Sequence, residues 1–184
     1  MEEKSGFVFT SSAGVFSEDG GGEVNEYSPV GSSPRAQRLL DCEEIVTSNG
    51  GSVLRLAGLY LLRRGAHNAY LNMEEVNARP DGLINQIHYD DAATATVAAL
   101  MKGEAGGIYV AADDKPMSRE DICATALDSP VFRGCKKPHF ASSGDNSPTG
   151  LGKRIDCQNT REKLGWKPRH SSFSAFIKES KESE

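Results

Sequence analysis

The earliest apolar run in the chain is Phe7-Val8-Phe9-Thr10. Unbroken apolarity over so few residues predicts a strand covered on both faces, because a half-exposed strand would alternate. Val53-Leu54-Arg55-Leu56-Ala57-Gly58-Leu59 predicts a second strand, Leu83 to His88 a shorter third, and Gly107-Ile108-Tyr109-Val110-Ala111 a fourth. Helical spacing intervenes. Leu39, Cys42, Ile45 and Val46 share one face of a segment from Pro34 to Thr47. Ser33 can cap it, Pro34 suits its first position, and Asn49-Gly50-Gly51 stops it. An alanine-dense helix is predicted from Ala92 to Lys102, with Asp90 or Asp91 as cap and Gly103 as terminator. Ser118-Arg119-Glu120-Asp121 resembles a capping box before Ile122 to Leu127. Asn159 to Leu164 reads as a short helix ended by Gly165, and Phe173, Phe176 and Ile177 mark one face of a last helix with a fraying charged tail. The glycine-rich stretch 17–32 and the proline-containing stretch 129–152 read as loops, the former mobile and on the surface.

Strands alternating with helices predict an α/β layered domain with a parallel sheet. At 184 residues the chain suits a single domain. Residues 1–60 and 107–112 would carry the sheet. A buried-type strand at Phe7 needs neighbours on both sides, yet few strands remain. The expectation is a truncated sheet whose first half lies outside this chain.

Charge alters the picture only by exclusion. Lys and Arg number 21 against 26 Asp and Glu, a formal charge of −5, which argues against a nucleic-acid partner. No apolar run nears the roughly 18 residues of a membrane helix, and the N-terminus lacks a secretion signal. The 4 cysteines include no CxxC pair, so a disulfide framework is not expected. A soluble intracellular protein is expected, with cytoplasm and organelles such as plastids left open.

Several short blocks carry a resemblance. Phe7 to Phe16 resembles the fifth strand and serine turn of extended short-chain dehydrogenases/reductases, the NAD-dependent epimerase/dehydratase family. Glu26 and Pro29 sit where that family has Glu-x-x-Pro. Val53 to Tyr60 resembles its sixth strand, Ile87-His88-Tyr89-Asp90-Asp91-Ala92 its Ile-His-Val-Asp-Asp segment, and Gly107 to Asp114 its seventh strand. Leu164-Gly165-Trp166-Lys167-Pro168 matches its Leu-Gly-Trp-x-Pro element. The blocks keep the family's order and span nearly the whole chain, with wording closest to the atypical branch. The resemblance implies a partial Rossmann-like, doubly wound parallel sheet with a small C-terminal substrate-side subregion (61–106 and 113–184 on the substrate side), NAD(P) as cofactor, and a nucleotide-sugar or other carbonyl/hydroxyl metabolite as substrate. It places cofactor contacts at Thr10, Ser11, Ser12, Ala57 and Gly58 and a catalytic hydroxyl at Ser12.

The family reaction needs that hydroxyl together with a Tyr as general acid/base and a Lys that lowers the phenol's pKa. Counted from Pro29, the Tyr position falls at Ala36 or Gln37 and the Lys position at Leu40 or Asp41; no lysine occurs between Lys4 and Lys102. Arg35 and Arg38 lie on the same helix but stay protonated and cannot titrate in the phenol's place. Tyr27 precedes the helix. No G-x-G-x-x-G occurs. Gly20-Gly21-Gly22 is ringed by carboxylates, and Gly150-Leu151-Gly152-Lys153 lacks the remainder of a P-loop. Weak or absent cofactor binding is therefore expected of this chain. A non-enzymatic interaction module is the rival expectation.

Other residues admit two readings. Ser12 is either a ligand contact or a turn hydroxyl. Ala57 and Gly58 permit close approach of either a nicotinamide or a neighbouring element. Arg63 and Arg64 could meet a phosphate or simply face solvent. His88 and Asp90 could shuttle a proton, or close a strand and cap a helix. Cys135 and His139 have a ligand-like spacing but no second pair nearby, so no metal is expected. Trp166 reads as a core anchor rather than a binding platform.

Overall fold

A computed structural model describes residues 4–113, 115–140 and 149–182. Strand β1 (Val8–Ser12) runs through a 3-10 turn (Ala13–Val15) toward β2 (Gly20–Val24). Helix α1 (Pro34–Ser48) follows, capped by Ser33 as its sequence requires. Then come β3 (Ser52–Leu56), β4 (Gly58–Tyr60), α2 (Ala66–Leu71), β5 (Glu75–Val76), β6 (Leu83–Ile84) and β7 (Gln86–His88). Helix α3 (Tyr89–Lys102) leads to β8 (Ile108–Ala111) and β9 (Met117–Ser118). Helix α4 (Arg119–Leu127), β10 (His139–Phe140), β11 (Gly152–Ile155), α5 (Gln158–Leu164) and α6 (Phe173–Glu182) complete the order.

The central sheet is parallel in the order β1-β3-β8, with Ser12 beside Leu56 and Leu56 beside Ala111. Helices α1 and α3 supply the crossovers that parallel pairing demands. Parallel pairs β4–β7, β2–β11 and β5–β10 and the antiparallel pair β6–β9 lie outside it. One apolar core joins the sheet to α3 and α5 through Leu54, Val110, Ala95, Leu164 and Trp166. A second gathers Tyr60, Ile122, Phe132, Phe173 and Ile177. The outer edge of β8 is covered by a side chain, since the Thr160 hydroxyl accepts the Val110 N–H at 2.9 Å and donates to Glu26. The architecture is an α/β parallel sheet of partial Rossmann type.

The structure corrects several expectations. Residues 17–32 contain β2, whose Gly20, Glu23 and Val24 pair with β11. A glycine triplet offers no β propensity, so only its distant partner makes it a strand. Val53 to Leu59 divides at Ala57, and Leu83 to His88 at Asn85, each into two strands with different partners. Part of 129–152 is ordered as a 3-10 turn (Pro130–Phe132), β10 and the start of β11, whereas 141–148 lie outside the described residues. The cap of α3 is neither Asp90 nor Asp91: the His88 ring accepts the Asp90 N–H through Nδ1 at 3.2 Å. Strand β1 is not covered on both faces. It forms an edge of the sheet, with Phe7 and Thr10 exposed and Val8 and Phe9 half-buried. Among the described residues no helix is long and apolar enough to cross a membrane.

Candidate functional site

Ser12 ends β1 and caps the 3-10 turn in extended conformation, its Oγ accepting the Gly14 N–H at 3.1 Å. Ala57 follows β3, and Gly58 opens β4 with its N–H donating to the Asn85 carbonyl at 3.0 Å. All three line one cleft of about 250 Å³ with Leu56, Asn85 and Lys153. It opens at the carboxyl ends of parallel strands, where open α/β sheets take their ligands. A larger hollow of about 450 Å³ between Met73-Glu74 and Lys136-Lys137 is walled almost wholly by exposed side chains, Leu71 excepted.

Alternation along β1 turns Ser11 away from Ser12. The buried Ser11 hydroxyl donates to Glu43 Oε1 at 2.5 Å, and Glu43 pairs with Arg55 at 2.7 Å. Ser11 therefore braces α1 against the sheet. Thr10 is exposed and does not line the cleft. Of the five residues expected at a cofactor site, Ser12, Ala57 and Gly58 converge, and Thr10 and Ser11 stand apart.

On α1, Ala36 is buried, and Gln37 spends its amide on Asp41 at 2.7 Å. No phenol or amine stands on that helix. Arg63 and Arg64 are exposed, and Arg64 lies over the Tyr89 ring at 5.2 Å. Cys135 and His139 are both exposed, and the His139 backbone is engaged with Glu74. Trp166 is buried and donates through Nε1 to Thr94 at 3.0 Å.

Two features escaped the sequence. The first is Lys153, half-buried on β11, whose Nζ donates to the Phe16 carbonyl at 2.9 Å. Burial pushes its ammonium pKa down, opposed by the nearby carboxylates of Asp19 and Glu18. No local signal marks it, because the pairing of β2 with β11 brings it into the cleft that Ser12 lines, from 141 positions away (153 − 12). The second is a joint of His88, Asp91 and His170, whose ligand-type atoms lie within 4.8 Å of one another. Both Asp91 oxygens accept backbone N–H groups, from Arg169 at 2.7 Å and His170 at 2.9 Å, and His88 Nδ1 is occupied by the cap of α3. These bonds make it a fastening between α3 and the C-terminal segment.

The cleft fits one end of a dinucleotide and not the other. Ala57 and Gly58 offer a backbone wall with little side chain, suited to a flat ring beside Ser12. A pyrophosphate needs free backbone N–H groups at a glycine turn. Here the N–H groups of Gly20 and Gly22 already point to Glu18, at 2.6 and 3.0 Å, and hold its carboxyl below the usual range. No described segment provides a phosphate turn of the required kind.

The chain shares its fold with several solved α/β structures. It is similar to a functionally unknown conserved protein from Silicibacter pomeroyi DSS (21% identity, TM-score 0.75, 96% of this chain and 65% of that one). It is also similar to dTDP-glucose 4,6-dehydratase from Bacillus anthracis in complex with NAD (14%, TM-score 0.75, 95% and 60%). A third similar structure is UDP-glucose 4-epimerase from Thermotoga maritima with UDP-glucose (17%, TM-score 0.74, 96% and 62%). The chain thus spans less than two thirds of the length of these proteins. No protein-family profile matches the sequence. No curated protein matches it either.

Proposed function

We propose that this chain forms the nicotinamide-side and substrate-side part of an NAD(P)-binding protein resembling nucleotide-sugar epimerases, dehydratases and reductases. In this reading the proton relay has shrunk to Ser12, and the phosphate-holding turn comes from polypeptide outside residues 1–184. The observation that supports it is the convergence of Ser12, Ala57 and Gly58 on one cleft at the carboxyl ends of β1 and β3. The neighbours' complexes with NAD and UDP-glucose support the ligand class. Such a cleft would receive the nicotinamide or a carbonyl/hydroxyl metabolite at the Ser12 hydroxyl.

A non-enzymatic reading has its own support. The helix that would bear Tyr and Lys bears Ala36, Gln37, Leu40 and Asp41, and Gln37 and Asp41 are bonded to each other. NADPH fluorescence and thermal shift decide between the two, on residues 1–184 alone and on the same residues joined to a Gly-rich βαβ half. Binding by the joined protein, lost on Gly58→Leu, upholds the cofactor reading. Binding without turnover of any carbonyl substrate assigns it to a pseudoenzyme. If neither protein shifts with NADPH, the cofactor reading fails.

A further inference from the structure

We infer that Lys153 and Ser12 together hold one oxyanion group, a carboxylate or a phosphate, of a small ligand in the Ser12 cleft. The inference uses the cleft named above as the ligand site and does not depend on a nicotinamide cofactor.

The lysine is aimed rather than free. Gly152 enters β11 at φ +72°, and a Cβ there would run into the Leu83 carbonyl, so the strand lies hard against β6. Asn85 then clamps the strand immediately after Lys153, on either side of Arg154: its Nδ2 donates to the Lys153 carbonyl at 2.9 Å, and its Oδ1 accepts the Ile155 N–H at 2.9 Å. Beyond the strand, the Phe16 carbonyl takes one ammonium proton at 2.9 Å, beside the turn that Ser12 caps. Asn85 is thus a positioning residue, and much of the entropy of ordering a long lysine is already lost before any ligand arrives.

Donors remain for a ligand. An ammonium has three protons, and the Phe16 carbonyl uses one. The Ser12 oxygen accepts the Gly14 N–H, which leaves its own proton to donate. The nearby carboxylates are engaged elsewhere: Glu18 by Gly20 and Gly22, and Asp19 by the Gly150 N–H at 2.7 Å. No ion pair among the described residues includes Lys153. Leu56, Ala57, Leu83, Ile84 and Ile155 complete an apolar wall. Such a wall strengthens a charge-assisted hydrogen bond and suits an oxyanion on an apolar body.

The test titrates residues 1–184 with phenyl phosphate, benzoate and benzyl alcohol, which share a body and differ in headgroup. Binding is followed by the Nζ resonances of 15N-labelled lysine. Saturable binding of phenyl phosphate or benzoate is expected, with a shift at Lys153; whichever anion binds identifies the source of the oxyanion. Lys153→Met weakens it about tenfold or more, Lys153→Arg retains most of it, and Ser12→Ala weakens it several-fold. Exposed Lys163→Met leaves it unchanged. The inference is overturned if neither anion saturates by about 20 mM or the Lys153 resonance stays fixed. Benzyl alcohol binding as tightly as the anions overturns it too. Should Lys153→Met fail to fold, the wild-type resonance still decides. Anion binding with no response to NADPH from either residues 1–184 or the joined protein would leave this inference standing and remove the cofactor reading. NADPH binding by the joined protein with no saturable binding of either anion would do the reverse.

Discussion

At the residue scale, the buried triad Ser11–Glu43–Arg55 shows a charge used for attachment. Both ionic side chains are almost wholly buried and satisfy each other through the Arg55 Nε and Nη2 donors. Glu43→Ala leaves Arg55 charged in the interior and is expected to cost about 3–5 kcal/mol in urea unfolding, whereas an apolar double replacement of Glu43 and Arg55 recovers most of that loss. Histidines set a second expectation. Burial first, then the charge of His170, pushes the His88 pKa below its ordinary 6.5, while Asp90 and Asp91 pull it back; burial likewise lowers His67. Both fold neutral, so the unfolded chain takes up protons first as pH falls. Their contribution is full above about pH 6.5 and is lost below it, by at most about 1.4 kcal/mol per pH unit for each ring. Melting temperature measured from about pH 7.5 to 5 should fall. His88→Asn, which keeps an acceptor for the α3 cap, should flatten part of that fall and leave the share due to His67.

At the element scale, α6 seals the second core. Phe173 and Ile177 are buried, and Phe173 meets the Tyr60 ring at 5.3 Å and the His67 ring at 4.6 Å. Phe173→Ala should cost about 3–5 kcal/mol in chemical denaturation, because rings on two sides cannot close the gap. Helices were the legible elements. Ser33, Ser118 and Gly165 did what their types predict, Gly165 turning left-handed at φ +57° to end α5. A cap or an apolar face is set by residues a few positions apart, so the sequence displays it. Strand β2 was illegible for the opposite reason: its glycines become a strand only beside β11. Gly152→Ala is expected to lower the melting temperature by several degrees, since it adds left-handed strain to a blocked Cβ.

Over the whole molecule, apolar surface lies open along β1, α1 and α3. Phe7, Ile45, Val97, Leu100 and Met101 are between 44% and 65% exposed, and the outer edge of β1 pairs with no strand among the described residues. Such surface favours association at roughly 25 cal/mol per Å², and open edges recruit further strands. Residues 1–184 are expected to bind a hydrophobic dye more strongly than a closed α/β domain and to associate with rising concentration. Light scattering of a monodisperse, dye-silent monomer would contradict this. The sequence by itself determined the α/β class, five helix positions with most of their ends, and a serine followed by a small-residue pair at strand ends. These depend on local spacing and on backbone preferences of single residues. Tertiary structure decided which of the five expected contacts share a cleft, because alternation along one strand sends Ser11 and Ser12 to opposite faces. It also brought Lys153 into the Ser12 cleft, since a parallel pairing across more than a hundred residues leaves no trace in any short window of sequence.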